Sequence, residues 1–521
     1  MNLVERARQT VHAGLSIARA GVRIERPDRV PRALAALAWW GPTVAGGVAA
    51  SVARYPSATA IVDDDGEMTY SELWRASVNI ASGLRDAGVE PGVHVGVLAD
   101  NSRMFVLSVV AAAALGADIV FLNTGFAGPQ LADVMHDEGV THLLHDDRFT
   151  GAAEGTDVPE RFSETELRRL MTRRGATITP TRSQGRLVIL TSGTTGRPRG
   201  AQRAGSSGAS ALGGLLSAVP IRARDTVVIA APMFHGWGLS HMGLALGLSS
   251  TIVLQRRFDA DATLAVVDAI DADGLVVVPV MLQRMLALDE STLAGHDTSS
   301  LRYIASSGSA IGARTVTGVL SRFGPVLYNV YGSTEVALAT AAGPAELSAH
   351  PSTAGRILSG STVRIVDDDG RDVAPGDTGR IFVGNGMRFD GYTGGGTKER
   401  LGDLLSSGDV GHFRDGLLFV EGRDDDMIVS GGENVFPAEV EEIIHSLPEV
   451  EEVAVLGVAD EEFGQRLSAF VVRRPGSELD EATVMAHVRG HLARHKVPRE
   501  VTFVDALPRT TTGKLRRLDL G

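Results

Sequence analysis

A dense run of glycine, hydroxyl and arginine residues occupies positions 191–200, which read Thr-Ser-Gly-Thr-Thr-Gly-Arg-Pro-Arg-Gly. Glycine lets backbone N–H groups approach and wrap an anion, hydroxyl groups donate further hydrogen bonds, and arginine supplies positive charge. The apolar residues 187–190 before this run predict a buried strand. The pattern therefore favours a loop that holds a polyphosphate, although its order differs from that of the Walker P-loop. A flexible surface loop is the alternative, because clusters of Gly, Ser and Thr are typical of such loops.

The elements that must position this loop are alternating strands and helices. Short apolar runs predict strands at 227–230, 251–254, 275–278, 303–305 and 326–330. Helical patterns lie between them, at 260–272 and 281–288 for example. Such alternation predicts an α/β fold with a covered, largely parallel sheet, which binds ligands at the carboxyl ends of its strands. The motifs at 231–238 (Ala-Pro-Met-Phe-His-Gly-Trp-Gly), 306–310 (Ser-Ser-Gly-Ser-Ala) and 331–335 (Tyr-Gly-Ser-Thr-Glu) each follow a predicted strand.

Length and composition limit the classes of protein that fit. The chain has 521 residues, which predicts two or more domains. Its net charge of −13 argues against a general nucleic-acid binder, which needs clustered Lys and Arg. The chain has no cysteine, so disulfides, thiolate metal sites and covalent cysteine intermediates are excluded. This composition is typical of a cytoplasmic protein.

The N-terminal residues 1–55 are rich in Arg and Ala and predict a helical extension. Residues 33–53 carry no charge and are long enough to cross a bilayer. Their Ala and Gly content and the central Pro42 instead favour a packed or membrane-touching helical hairpin broken at Gly41-Pro42. Basic residues alternating with apolar ones suit a peripheral membrane contact, with an ordinary solvated face as the alternative.

Three consecutive aspartates occupy positions 424–426. Three successive acids indicate an exposed turn. Pro437 then opens a predicted helix over 437–447 from the favoured first position. Strands are predicted at 453–458, 467–472 and 501–504, with a helix at 481–493 between the last two. This region therefore predicts a second, smaller α/β domain.

These motifs, in this order, resemble the adenylate-forming enzymes, which include acyl-CoA synthetases, luciferases and the adenylation domains of peptide synthetases. The resemblance covers roughly residues 56–521. It implies a large adenylation domain over 56–424 and a small mobile C-terminal domain over 425–521, joined by a hinge that pivots at Asp425. The family loop usually has lysines where Arg197 and Arg199 stand, and Arg380 replaces a usual acid.

The resemblance also implies roles for individual residues. Contacts to ATP and CoA are implied for Thr191, Ser192, Gly193, Thr194, Thr195, Gly196, Arg197, Arg199, Gly308, Ser309, Ala310, Tyr331, Gly332, Ser333, Thr334, Asp409, Arg423, Gly431 and Gly432. Catalytic roles are implied for Lys514, Glu335, His235 and Thr194, with Glu335 as the Mg²⁺ ligand.

The mechanisms differ among these residues. Asp409 accepts two hydrogen bonds, which matches the two ribose hydroxyl donors. Lys514 reaches into the large domain to neutralise charge as the adenylate forms. The alternatives are a structural role for His235, a helix cap for Glu335 and a solvated tail for Lys514.

The predicted function is an ATP-dependent acyl-CoA synthetase that activates a carboxylic acid through acyl-AMP and uses CoA as co-substrate. We expect a medium- or long-chain fatty acid, because the apolar N-terminal extension suggests contact with lipid. Aryl-acid CoA ligation, loading of an acyl carrier protein and an inactive nucleotide-binding homologue are the alternatives. No acid stands in residues 234–238, which argues against an α-amino acid substrate. The sequence leaves the oligomeric state open, a homodimer included.

Overall fold

The computed structural model describes residues 27–126, 128–181, 185–192, 198–204, 209–387, 389–424, 427–430, 433–460, 464–509 and 515–520. The helices of the large domain are α1 (Val30–Trp40), α2 (Val44–Arg54), α3 (Tyr70–Asp86), α4 (Arg103–Ala114), α5 (Gly128–Asp137), α6 (Thr150–Glu154), α7 (Glu164–Met171), α8 (Ala209–Ala218), α9 (Gly236–Gly247), α10 (Ala260–Ala269), α11 (Pro279–Leu286), α12 (Glu290–Ala294), α13 (Ala313–Phe323) and α14 (Pro344–Ala349). Helices α15 (Pro437–His445) and α16 (Glu481–His491) belong to the small domain.

The strands fall in four sheets. The first nine are β1 (Thr59–Asp63), β2 (Gly66–Thr69), β3 (His94–Leu98), β4 (Asp118–Phe121), β5 (His142–His145), β6 (Glu160–Ser163), β7 (Arg186–Ser192), β8 (Pro198–Ala204) and β9 (Thr226–Ile229). The next nine are β10 (Thr251–Val253), β11 (Gly274–Val277), β12 (Tyr303–Ser306), β13 (Leu327–Ser333), β14 (Ala337–Ala342), β15 (Arg356–Ile357), β16 (Ser361–Val366), β17 (Gly379–Asn385) and β18 (Phe389–Tyr392). The last eight are β19 (Arg400–Leu401), β20 (Leu404–Arg414), β21 (Leu417–Arg423), β22 (Ile428–Ser430), β23 (Glu433–Val435), β24 (Val450–Asp460), β25 (Gly464–Arg473) and β26 (Glu500–Phe503).

Two sheets of the large domain have parallel centres and antiparallel edges. The nine-stranded sheet has the order β15-β14-β13-β12-β11-β9-β10-β1-β2, parallel from β13 to β1. The seven-stranded sheet has the order β18-β8-β7-β4-β3-β5-β6, parallel from β7 to β6. Because both faces of a parallel sheet are covered, the strands β11 and β12 are buried along their whole length. The predicted α/β class and its largely parallel sheets are confirmed.

The remaining sheets are smaller. Strands β16, β17, β20, β19 and β21 form a five-stranded sheet of antiparallel pairs. The small domain has its own five-stranded sheet of β23, β22, β25, β24 and β26, with a separate apolar core that includes Val440, Val471 and Val484. The small C-terminal α/β domain is therefore confirmed, whereas its boundary at residue 425 stays a prediction. Asp425 itself lies outside the described residues.

Residues 30–54 form the predicted helical hairpin, with α1 and α2 separated at Gly41-Pro42. Helix α2 is part of the large core, because Ala45 and Val48 are fully buried and Ser51 donates a hydrogen bond to the Leu246 carbonyl at 2.7 Å. Helix α2 of the predicted hairpin is therefore packed into the large domain.

Helix α1 differs from α2 in its exposure. Among the described residues, Leu34, Leu37 and Trp39 are three of the four large apolar side chains that lie exposed, and Trp39 is 65% exposed. This surface keeps the predicted membrane or partner contact of the N-terminal segment open as a prediction. No helix in the described ranges is long and apolar enough to cross a membrane.

Candidate active site

The polyphosphate motif lies at the turn of a β-hairpin. Strand β7 continues to Ser192 and β8 begins at Pro198, and the two strands pair antiparallel with Thr191 opposite Arg199. The Thr191 hydroxyl donates to the Arg199 carbonyl at 3.2 Å. The loop is thus shorter than the ten-residue motif, because both ends of the motif are strand. Its centre, Gly193, Thr194, Thr195, Gly196 and Arg197, lies outside the described residues.

A carboxylate and a phenol form the first part of the site. Strand β13 carries Tyr331 and strand β20 carries Asp409, and the Tyr331 hydroxyl donates to Asp409 Oδ2 at 2.5 Å. Arg423 stands opposite Asp409 across the β20–β21 pair, with its Nη1 3.6 Å from Asp409 Oδ1. Burial raises the pKa of Asp409 and raises that of Tyr331 well above its usual range. The structure thus brings three predicted site residues together.

Lys398, in the segment between β18 and β19, is a basic residue beside Asp409 that sequence reasoning missed. Gly408 adopts φ +78°, and a Cβ built there would lie 3.2 Å from Lys398 Nζ and 3.1 Å from Arg423 Nη2. The left-handed conformation favours glycine at this position. Two cations therefore lie beside the Asp409 carboxylate, and no local pattern around Lys398 indicates this.

Glu335 forms the second part of the site, in the turn between β13 and β14. Its Oε1 accepts a hydrogen bond from the Tyr392 hydroxyl at 2.9 Å, and its Oε2 accepts one from Ser333 Oγ at 3.0 Å. The guanidinium carbon of Arg199 lies 5.8 Å from the centre of the Tyr392 ring. Burial, and then the charge of Glu335, raises the pKa of Tyr392. The alternative of a helix cap is wrong, because no helix begins at Glu335.

This carboxylate suits a magnesium ion that is held mainly by substrate. Mg²⁺ takes oxygen ligands and is commonly bound by one or two carboxylates together with substrate phosphates. In the described ranges no three His, Asp or Glu side chains are grouped so that they could hold a metal by themselves. A single carboxylate beside the polyphosphate hairpin therefore fits a metal that arrives with a nucleotide.

Glu138 is a buried residue that no sequence motif indicates. It joins the hairpin of β7 and β8 to the end of β18, which carries Tyr392. Its Oε1 accepts from the Gly200 amide at 3.1 Å and from the Thr393 hydroxyl at 2.6 Å, and the Thr393 amide donates to the Gly200 carbonyl at 2.9 Å. A Cβ at Gly200 would lie 2.5 Å from this carboxylate, so only glycine fits there. Burial raises the pKa of Glu138. Glu138 thus fixes β8, which leaves the polyphosphate turn, against the strand that orients Glu335.

We expect Glu138→Ala to lower kcat/KM for ATP about tenfold, mainly through KM. Two donors lose a buried acceptor, which costs about 1–3 kcal/mol of stability. Glu138→Gln keeps an acceptor oxygen and should lie much closer to the parent. Pyrophosphate release measured against ATP concentration, with Asp137→Ala as the exposed neighbouring control, tests this. An unchanged KM for ATP in a folded Glu138→Ala protein contradicts the positioning role.

The motif at 231–238 surrounds the start of helix α9. His235 occupies the N-cap position, and its ring centre lies 4.5 Å from that of Phe234. The Trp237 indole donates to the carbonyl of Val277, the last residue of β11, at 3.0 Å. The exposed turn of Gly308, Ser309 and Ala310 follows β12 at the same strand edge. These rings therefore lie at the carboxyl ends of parallel strands, where such sheets bind ligands.

Gly431, Gly432 and Lys514 lie outside the described residues. Thr334 lies in the turn beside Glu335, and Gly332 and Ser333 are the last two residues of β13. A Cβ at Gly332 would lie 1.9 Å from the backbone oxygen of Ala337, so the backbone approaches closely here. The structure thus brings Thr191, Arg199, residues 331–335, Tyr392, Asp409 and Arg423 into one region.

Most of the chain matches two known protein families. The family described as AMP-binding enzyme matches residues 48–393, and the AMP-binding enzyme C-terminal domain matches residues 439–514. The chain belongs to the AMP-binding enzymes. This membership places it in the adenylate-forming superfamily of acyl-CoA synthetases, as the motifs predicted.

Individual relatives agree with this family. The chain is 34% identical over 501 residues to an indoleacetate–CoA ligase of Aromatoleum aromaticum, covering 89% of this chain and 95% of that one. It is 34% identical over 472 residues to a feruloyl-CoA synthase of Amycolatopsis, covering 88% and 94%. The o-succinylbenzoate CoA synthetase of Bacillus subtilis, solved with its acyl-adenylate intermediate, superposes with a TM-score of 0.82 at 26% identity, covering 91% and 97%. The chain is an AMP-forming acid–thiol ligase, and its family uses ATP and CoA.

Proposed function

We propose that this ligase converts an aryl or arylalkanoic acid into its CoA thioester through an acyl-adenylate. The observation that carries the proposal is the convergence of Asp409 with Tyr331, and of Glu335 with Tyr392, beside the polyphosphate hairpin. The Asp409 group suits a ribose, and the Glu335 group suits a metal-bound polyphosphate. Together they suit a nucleoside triphosphate.

In the first half-reaction an oxygen of the acid attacks the α-phosphorus of ATP, and the bond to pyrophosphate breaks. Asp409 accepts hydrogen bonds from the ribose hydroxyls, while Tyr331 and Arg423 hold its carboxylate in place. Glu335 would hold Mg²⁺, which would supply charge neutralisation for the phosphates. Lys514 neutralises the developing charge on the acid and the α-phosphate. The hairpin residues Arg197 and Arg199 supply the charge that lysines supply in the family loop.

In the second half-reaction the CoA thiol loses its proton and its sulfur attacks the acyl carbon, and AMP leaves. The ligase needs no nucleophile of its own, because adenylation already provides a good leaving group. Positioning and charge stabilisation therefore carry the catalysis. Gly431 and Gly432 belong to the face of the small domain that we assign to this step.

We propose an aromatic acid because the names of the relatives and the aromatic residues of the 231–238 motif both favour that class. The relatives reported above are named for indoleacetate, ferulate and o-succinylbenzoate, each of which carries an aromatic ring. Rings of Phe234, His235 and Trp237 gather at the strand edge, and aromatic faces favour offset or edge contacts with another ring. These observations favour the aryl acid over the fatty acid, which rested on the apolar N-terminal segment.

A panel of acids tests the proposed function. We expect ATP-dependent pyrophosphate release with indole-3-acetate, ferulate or 2-succinylbenzoate at a kcat/KM at least tenfold above that with octanoate or palmitate. Release with palmitate alone would contradict the aryl assignment, and no release with any acid would favour an inactive homologue. Addition of CoA should then yield the thioester. Turnover only with an acyl carrier protein would instead identify a carrier-loading ligase.

A further inference from the structure

Helix α9 contains a buried histidine that the adenylation chemistry does not use. His241 lies one helical turn after Trp237 and is 3% exposed. Its ring centre lies 4.1 Å from that of Trp237 in an edge-to-face arrangement. Since the Trp237 indole is bonded to the carboxyl end of β11, His241 packs against a ring at the strand edge where we place the acid.

The hydrogen bonding of His241 determines which of its nitrogens carries the proton. Nδ1 lies 3.1 Å from the Trp237 carbonyl oxygen, which can only accept, so Nδ1 is the donor. Burial lowers the pKa of His241 to about 4, so the ring is neutral near pH 7. Nε2 therefore presents a bare lone pair and can only accept a hydrogen bond.

No polar group in the described part of the chain bonds this Nε2 atom, although it is fully buried. Buried polar atoms are nearly always hydrogen-bonded in folded proteins, so an exception calls for a reason. A ligand donor is such a reason when the atom lies beside a binding site.

We propose that His241 forms the inner end of the acid pocket and that its Nε2 accepts a hydrogen bond from an N–H or O–H on the distal part of the aryl acid. This inference rests on the proposed function and narrows its substrate to aryl acids that carry a donor. Ring hydroxyl, ring amino and indole N–H groups are such donors. A site built to bond a substrate donor discriminates strongly against an analogue that lacks it, because the buried acceptor is then left unpaired.

Matched pairs of acids test this donor preference. Indole-3-acetate is compared with 1-benzothiophene-3-acetate, and 4-hydroxycinnamate with 4-methylcinnamate, since each pair differs chiefly in the donor. For the better-accepted pair we expect kcat/KM for pyrophosphate release to be at least tenfold higher with the donor acid. If both acids of every accepted pair react equally well in the parent, the inference is wrong although the ligase function stands. If no acid reacts, the proposed function itself fails.

Variants of His241 separate a ligand contact from a packing role. His241→Phe keeps an aromatic ring and removes the acceptor, so the two acids of a matched pair should then react with about equal kcat/KM. His241→Gln keeps an acceptor at similar reach and should retain part of the preference. His142→Phe is the matched control: His142 is also buried, but both of its nitrogens are bonded and it begins β5 at the amino end of the other parallel sheet.

The deciding measurement is the ratio of kcat/KM for the donor acid to kcat/KM for its matched analogue. A purely structural histidine changes stability and leaves that ratio alone. An unchanged ratio in folded His241→Phe overturns the proposal. Should that variant not fold, an unchanged ratio in His241→Leu or a ratio fully lost in His241→Gln overturns it equally. In the control, the ratio should equal that of the parent.

Discussion

Replacement of Lys514 by alanine is expected to slow acyl-AMP formation about 100- to 1,000-fold while largely sparing the conversion of supplied acyl-AMP and CoA into thioester. One well-placed charge or donor at a developing anion contributes about this much to kcat. The asymmetry follows from the proposed mechanism, in which Lys514 belongs to the small domain. In that mechanism a rotation of the domain presents Lys514 for adenylation and the face of Gly431 and Gly432 for thioester formation.

Single-turnover measurement of each half-reaction tests this asymmetry. Lys496→Ala is a matched control, because Lys496 lies in the same domain and pairs with Glu439 of α15. It removes the same charge without touching the proposed site, so both half-reactions should stay near the parent rate. Equal loss of both halves in a folded Lys514→Ala protein would refute the two-pose mechanism.

The residue just before the proposed pivot is held by the large domain, which supports a hinge at this position. The Asp424 amide donates to the Gly408 carbonyl at 3.0 Å, and its carboxylate pairs with Arg380 at 3.4 Å. Arg380, which replaces a usual acid, thus holds the large-domain end of the proposed hinge. Asp425→Pro fixes φ at the pivot, so it should slow thioester formation more than adenylation if it traps the adenylating pose.

Glu335→Gln is expected to lower kcat/KM for ATP about 100-fold and to raise the Mg²⁺ concentration needed for half-maximal rate. The amide keeps an oxygen that accepts from the Tyr392 hydroxyl, but it removes the charge that a hard cation prefers. Folding should change little, because Glu335 is only half-buried and lies in a turn. Pyrophosphate release across Mg²⁺ concentrations, with the unfolding temperature recorded in parallel, measures both effects.

Tyr392→Phe is the companion variant for Glu335. It removes one hydrogen bond that orients the carboxylate and leaves the charge in place, so a loss of about tenfold with a nearly parental Mg²⁺ requirement is expected. A Glu335→Gln protein that keeps the parent's rate at every Mg²⁺ concentration would show that the metal assignment is wrong.

The sequence by itself determined the fold class and the order of the elements. Strands β9, β11 and β12 fall within one residue of the runs predicted at 227–230, 275–278 and 303–305. Strands in covered parallel sheets are short apolar runs between turn residues, so local pattern suffices to find them. The hairpin of α1 and α2 was equally readable, because Gly41-Pro42 cannot continue a helix. The motifs likewise sufficed to predict the family.

Only the tertiary structure decided which side chains meet. Tyr331 and Asp409 lie 78 positions apart, and Glu138 and Thr393 lie 255 apart. Such contacts depend on the order of strands within a sheet and on the packing of one sheet against another, and local periodicity encodes neither. The burial of α2 depends on the tertiary structure for the same reason, since its small residues gain their role only from the helices around them. The unbonded nitrogen of His241 likewise exists only in the packed core, because a polar atom lacks a partner only where the fold has excluded water.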